Sequence, residues 1–431
     1  MPIRTAILFP GQGAYLPGVL AERADQVPEA ARTLEAIDEV VTAEGREAVG
    51  PLLLDRDAPS LADLLADDTD RLDLAIFAVN AVAAELLRAV GVHGDVMVGH
   101  SFGEFAALSA AGAVSVTDVA RMACARTDAF RRAAPPDGGL VALDVPAWRA
   151  EHLVGVLDEP GLRTAIDNGP GQTVVSGPVE ALEKLEKTAV DLGIRATRLR
   201  AGYAFHNPLL SGAADLFRRA TAGIPVRAPR TAVYSPLLSR YVVDAGDVRE
   251  VAERNMIAPV PFYDALLTLF RQGARVFVEA GARQALSGIA RTSLPAAAVT
   301  VPVLASRGDL DSVVAALTAA GLPAARPDGG AGAASAPDPG PGPAAPRDEP
   351  DGTAGLLAEL SALYADDLGF PAEMLTEDID LEADLGVDSA KQTALLEKVR
   401  HRYGLPALRG EDRASATTLG RIADLVREQR R

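Results

Sequence analysis

The 431 residues contain a single cysteine, Cys124. No intramolecular disulfide can form, and a cysteine-based zinc site is excluded. Aromatic residues are scarce at 4%, although 48% of the chain is hydrophobic and its mean hydropathy is +0.12. The core must therefore be built from alanine, leucine and valine. Basic residues fall short of acidic ones, 42 against 59, which leaves a formal net charge of −17. That balance argues against a nucleic-acid partner, because phosphate neutralisation needs clustered Lys and Arg. Long apolar runs are missing too. The opening stretch MPIRTAILFPGQGAYLPG has about six apolar residues before its glycines, too few for a signal-peptide core or a membrane span. A soluble, cytoplasmic protein with no membrane partner is expected.

The length suits two or three domains. The sharpest boundary is residues 323–350, where 21 of 28 residues are Pro, Ala or Gly. No apolar periodicity survives there. The segment reads as a linker, able to span up to roughly 85 Å at about 3.1 Å per residue. Residues 1–322 alternate strand and helix: TAILFPG, then LAIFAVNAVAAELLRAVG, VMVGHS, GEFAALSAAGA and, much later, ARVFVEAG. That alternation predicts an α/β domain with a parallel sheet. Between about 138 and 200 the texture changes to short β-branched strands separated by two helices, in the order β-α-β-β-α-β. This is the ferredoxin-like plan, and the segment is expected to be an insertion into the larger domain. Residues 351–431, with 16 acidic and 10 basic residues, carry three amphipathic helical patterns and predict a small helical bundle.

Chemistry concentrates in MVGHSFGEFA, residues 97–106. Gly99-His100-Ser101-Phe102-Gly103 fits the G-x-S-x-G nucleophile elbow, and its context of strand before and helix after is the one that pattern requires. A sharp turn leaves no room for side chains beside the serine and lifts its hydroxyl onto a helix N-terminus, where backbone N–H groups favour a developing oxyanion. The bland alternative is a tight structural turn. Glu104 is equally well a helix-start carboxylate and is given no chemistry.

A serine nucleophile needs a base. His152 and His401 fall on helical patterns and His93 on a polar turn. His100 adjoins the serine, but neighbours at an elbow point different ways; it reads as a positioning residue. His206 stands in GYAFHNP, at a bend where the inserted segment returns to the larger domain, and is the candidate base. A lone histidine is as often structural, and spacing alone does not separate the two readings.

Several ordered segments carry a family resemblance: LFPGQGA (8–14), GHSFGEFAALSAAGA (99–113), CARTDAF (124–130), AIDNGPGQTVVSG (165–177), AFHNPLL (204–210), ERNMIAPVPF (253–262) and FVEAGARQALSG (277–288). Together they make residues 1 to about 320 similar to malonyl-CoA:acyl-carrier-protein transacylases and to the acyltransferase domains of polyketide and fatty acid synthases. The resemblance implies an α/β-hydrolase-like core with the ferredoxin-like insertion. It implies that Ser101 carries the acyl group, that His206 is base and then acid, and that the backbone N–H groups of Gln12 and Phe102 form the oxyanion hole. It places at Asn255 the backbone carbonyl that orients the histidine, and it gives Arg126 the free carboxylate of a malonyl-type group from coenzyme A. Tyr203-Ala204-Phe205-His206 is a hybrid of the patterns found in malonyl- and methylmalonyl-selective members. The bulk of Phe205 favours malonyl.

A second serine stands in LEADLGVDSAKQTALLEKV, residues 381–399. On local physics Asp388 or Ser389 is simply a helix N-cap. The stretch also resembles acyl carrier proteins, whose G-x-D-S motif takes a covalent 4′-phosphopantetheine on its serine, here Ser389. That resemblance implies a phosphopantetheinyl transferase as one partner. With no ketosynthase-like segment in the chain, a separate ketosynthase or polyketide synthase is implied as another. Three other readings stay open: an editing hydrolase, a transferase moving larger acyl chains between carriers, and a carrier protein with a silent transferase half.

Overall fold

In the computed structural model the described residues are 3–327, 356–357, 359–361, 363–364, 381, 389–403 and 418–430. The chain divides into two compact units, Met1–Ala331 and Gly332–Arg431. Residues 328–350 of the expected linker, and Gly386, Val387 and Asp388 of the C-terminal motif, lie outside the described residues.

The first unit is mixed α/β. Its strands are β1 (Thr5–Phe9), β2 (Val96–Gly99), β3 (Gly138–Leu143), β4 (Arg163–Gly169), β5 (Gln172–Pro178), β6 (Ala196–Leu199), β7 (Ala232–Ser235), β8 (Arg240–Val242), β9 (Val260–Pro261), β10 (Val276–Ala282) and β11 (Val299–Leu304). Six of them form one sheet in the order β11-β10-β1-β2-β7-β8. All its neighbours are parallel except the edge pair β7–β8. The central strands β1 and β2 are buried along their whole length. That is why TAILF and VMVG read as unbroken apolar runs instead of alternating ones: helices cover both faces of a parallel sheet. The helix Thr69–Ala89 is buried over most of its surface and packs beside this sheet.

The second sheet runs β6-β3-β5-β4-β9. Its first four strands follow the β-α-β-β-α-β chain order, with the helices Ala147–Leu157 and Val179–Asp191 between them, and pair antiparallel throughout. They bury their own cluster around Val141, Leu143, Leu162, Val175, Leu182 and Leu185. The fifth strand, β9, pairs parallel with β4 through Ile166–Val260 and Asp167–Pro261. Two residues ending in proline carry no periodic signal, so nothing in the sequence predicts it. Its effect is to bring residues 255–261 alongside the inserted segment.

The second unit is described in part. Helices span Ser389–Tyr403 and Leu419–Arg430, and residues near 360 are also helical. Leu360, Tyr364, Leu395, Leu396, Val399, Leu419, Ile422 and Val426 form a buried apolar cluster. The Tyr403 hydroxyl donates to Glu359 Oε2 at 2.9 Å.

Candidate active site

β2 ends at Gly99 and the next helix starts at Gly103, so the chain reverses in three residues. Ser101 sits at φ +56°, a left-handed conformation that costs about 1–3 kcal/mol for a residue with a side chain. The turn is closed by Gly103 N–H donating to His100 O (2.9 Å) and Glu104 N–H donating to Ser101 O (3.1 Å). Both glycines are required by space. A Cβ on Gly99 would stand 2.1 Å from Glu104 N, and one on Gly103 would stand 2.0 Å from Phe9 O. The elbow predicted from G-x-S-x-G is thus packed directly on the end of β1.

Ser101 Oγ lies 2.7 Å from His206 Nε2. His206 is reached on the chain's return from the inserted segment, and it too has a positive φ, +58°. Its backbone N–H donates to Met256 O at 2.7 Å, and its Nδ1 lies 2.9 Å from Ala258 O. A carbonyl oxygen only accepts, so Nδ1 carries the ring proton and Nε2 is free to accept from the serine. The ring is 3% exposed. Burial pushes its pKa down from 6.5 to about 3, against the pull of the Ala258 carbonyl and helped by nearby His100 and Arg126. The imidazole is neutral at physiological pH, as a base must be.

Here the expectation for Asn255 is corrected. The carbonyl that orients His206 belongs to Ala258. Asn255 follows the helix Ala245–Arg254 in αR conformation. The turn after it, with Ile257 and Ala258 N–H both bonding back to Arg254 O, carries the chain three residues further before a carbonyl faces the ring. Asn255 uses its side chain instead: Nδ2 donates to Ser101 O at 2.9 Å and braces the elbow.

The Gly11–Gln12 turn after β1 closes over the same place. A Cβ on Gly11 would lie 2.8 Å from His100 O and 3.5 Å from Phe102 N. Among the described residues, neither the Gln12 nor the Phe102 backbone N–H is engaged in a hydrogen bond, which leaves both available to an incoming oxyanion.

Arg126, on the helix Val116–Ala133, is 5% exposed. Its guanidinium carbon stands 5.0 Å from the ring centroids of Phe102, Phe130 and Phe205. Tyr203 stacks on Phe130 at 4.5 Å, so Tyr203 and Phe205 wall the arginine together. Arg126 Nη1 pairs with Asp73 Oδ2 at 2.6 Å, while Gln12 Nε2 donates to Asp73 Oδ1 at 2.9 Å.

The other motif residues have structural partners. His100 Nε2 donates to Asn168 Oδ1 at 2.9 Å and its ring packs edge-on against Phe262. Glu104 stands in the first turn of the helix Gly103–Ala110, but away from solvent. It is fully buried, accepts from Ser235 Oγ (2.8 Å) and Leu237 N–H (3.1 Å), and is pushed by burial to a pKa of about 8. His93 and His152 are exposed. Sequence reasoning missed Asp73, Phe130, Asn168 and the Ala258 carbonyl. Asp73 had a signal, a charge inside the apolar helical run LDLAIFAVN; a backbone carbonyl has none. Among the described residues there is no His, Cys, Asp or Glu cluster able to hold a metal ion, and no helix long and apolar enough to cross a membrane.

Comparison with known proteins places the chain in a family. Residues 7–319 match the acyl transferase domain family, and residues 358–426 match the phosphopantetheine attachment site, which indicates a covalently attached 4′-phosphopantetheine. Mycoketide-CoA synthase of Mycobacterium tuberculosis is 33% identical over 314 residues, covering 71% of this chain. The malonyl CoA-acyl carrier protein transacylase of Bacillus subtilis is 28% identical over 293 residues, covering 67% of this chain and 90% of that protein. The crystal structure of the acyltransferase domain from module 8 of the salinomycin polyketide synthase superposes with a TM-score of 0.64 at 31% identity, covering 70% of each chain. The chain spans 7% of mycoketide-CoA synthase and 4% of the polyketide synthase GfsA of Streptomyces halstedii. By the extent of the match over residues 7–319, the chain belongs to the acyl transferase family.

Proposed function

We propose that this chain is an acyl-coenzyme A:acyl-carrier-protein S-acyltransferase of the malonyltransferase type, which supplies acyl units to polyketide or fatty acid synthesis. The observation that carries the reading is the 2.7 Å contact between Ser101 Oγ and a His206 Nε2 left unprotonated by the Ala258 carbonyl on its far nitrogen. Ser101 Oγ attacks the thioester carbonyl carbon as its proton passes to His206 Nε2. The Gln12 and Phe102 N–H groups receive the oxyanion, and Ala258 O steadies the imidazolium. Collapse breaks the carbon–sulfur bond, and His206 returns the proton to the departing thiol. An ester on Ser101 remains.

Arg126, with Tyr203 and Phe205 around it, is the group we assign to the acyl end; a guanidinium suits a carboxylate terminus. Ser389 is the attachment residue we assign within residues 358–426. It opens the helix Ser389–Tyr403. The prosthetic group supplies the accepting thiol. In the second half-reaction His206 takes the proton of the incoming thiol and delivers it to Ser101 Oγ. A phosphopantetheinyl transferase and a ketosynthase or polyketide synthase are the partners this chemistry needs, and the cytoplasm suits it. We read the six-stranded sheet as an α/β-hydrolase-like core and residues from about 138 to 200 as a ferredoxin-like insertion, a reading supported by the strand order β6-β3-β5-β4.

The test is labelling of the chain without its prosthetic group by radioactive malonyl-CoA, followed by peptide mapping. Label on the peptide containing Ser101, absent from Ser101→Ala, supports the proposal. Release of free malonate with no labelled peptide contradicts it.

A further inference from the structure

Arg126 is already paired. The anion on it, Asp73, is itself buried at 8% exposure and held from two sides, by Arg126 Nη1 at 2.6 Å and by Gln12 Nε2 at 2.9 Å. The three rings around the guanidinium keep water away, so charges here are weakly screened. The pair has no net charge. An acyl group ending in a carboxylate would bring a second anion to one buried guanidinium, and an excess charge in a dry site is costly. Asp73 engages the guanidinium through Nη1 alone, and of the donors left over Nε is buried and has no hydrogen-bond partner. A neutral acceptor, such as a hydroxyl or carbonyl oxygen, satisfies that N–H without adding charge.

We propose that Asp73 is the specificity-determining residue of this site: by occupying Arg126 it weakens selection for acyl groups ending in a carboxylate and admits acyl groups with uncharged ends. Through Gln12 the same side chain also fixes the turn whose N–H faces the elbow, so it positions the acyl-end arginine and the candidate oxyanion donor together. This rests on the transferase reading above and widens its substrate class from malonyl alone to acyl groups with uncharged ends.

The experiment measures kcat and KM for Ser101 acylation by malonyl-CoA and by acetyl-CoA, read by quenched intact-protein mass spectrometry on the full-length chain carrying Ser389→Ala. Wild type is expected to load the two donors with comparable kcat/KM. Asp73→Asn removes the anion and keeps the shape, so the malonyl-to-acetyl ratio should rise about tenfold or more, through a lower KM for malonyl-CoA. In an Arg126→Ala background the same substitution should leave the ratio unmoved, which separates charge competition from general disturbance. Asp73→Gln serves as second variant should the asparagine form fold poorly, checked by its melting temperature. A ratio unchanged or shifted toward acetyl, while acylation persists, overturns the role of Asp73 and leaves the transferase reading standing. Wild type that forms no acyl-enzyme with either donor overturns both.

Discussion

His206 Nδ1 faces the carbonyl oxygen of Ala258 at 2.9 Å. That single contact does the work a carboxylate does in a Ser-His-Asp triad: it fixes the tautomer and holds the ring toward Ser101. It does so without a full negative charge, so the carbonyl offsets only part of the burial that drives the His206 pKa down from 6.5 to about 3.

The first prediction follows from that value. A base with a folded pKa of about 3 stays neutral through mildly acid conditions. The rate of Ser101 acylation should stay level as pH falls from about 8 to about 5, where a histidine of ordinary pKa would cost roughly tenfold or more. A rapid-quench pH profile checks this, and a break near pH 6.5 would contradict it. His206→Ala should lower acylation by about 100- to 10,000-fold, the usual weight of a positioned general base.

Glu104 gives a prediction about stability. Burial raises its pKa from 4.5 to about 8. A raised folded value means the folded state binds the proton more tightly than the unfolded chain. The stabilisation is complete below about pH 4.5 and is lost as pH rises to about 8. Glu104→Gln keeps the shape and the acceptor for Ser235 and Leu237 without the charge. The melting temperature of the variant minus that of wild type should therefore climb between those two pH values and level off above them. A difference that does not vary with pH would show that Glu104 is ionised in the fold.

The elbow is tested by the smallest possible change. Gly103→Ala puts a methyl group where Phe9 O already stands, 2.0 Å away. Backbone cannot yield cheaply, and the cost should be about 3 kcal/mol or more. Denaturant titration should show that loss, and acylation should fall with it. An alanine variant as stable and active as wild type would mean the turn is more open than described.

Asn255 braces the same turn from outside through Nδ2 and Ser101 O. Asn255→Ala should cost about 1–3 kcal/mol of stability, the range for a buried hydrogen bond broken on one side, and reduce acylation about tenfold while leaving KM for the acyl-CoA little changed. An effect confined to KM would assign Asn255 to substrate binding instead.

These tests also mark what was legible in the sequence. The nucleophile could be read because its physics selects residue types: only glycine fits at positions 99 and 103, two residues either side of Ser101, and an apolar strand must precede it. The inserted β-α-β-β-α-β segment was readable because its strands are short, rich in β-branched residues and separated by turns and two helices. His206 was narrowed to a candidate by its place at the return from that insertion. The Ala258 carbonyl was not readable, because any residue supplies a carbonyl and only the turn after Arg254 decides which one meets the ring. β9 was invisible at two residues. Asp73 announced itself only as a charge inside an apolar helix, and its partners, Gln12 and Arg126, come from distant parts of the chain.

The most direct test is intact-protein mass spectrometry of the phosphopantetheinylated full-length chain with malonyl-CoA, alongside Ser101→Ala and Ser389→Ala. One malonyl mass on the prosthetic thiol of wild type, on Ser101 when Ser389 is replaced, and on neither when Ser101 is replaced, is the predicted result. Loading of the thiol in the Ser101→Ala chain, or no malonyl mass on any of the three, would contradict the account.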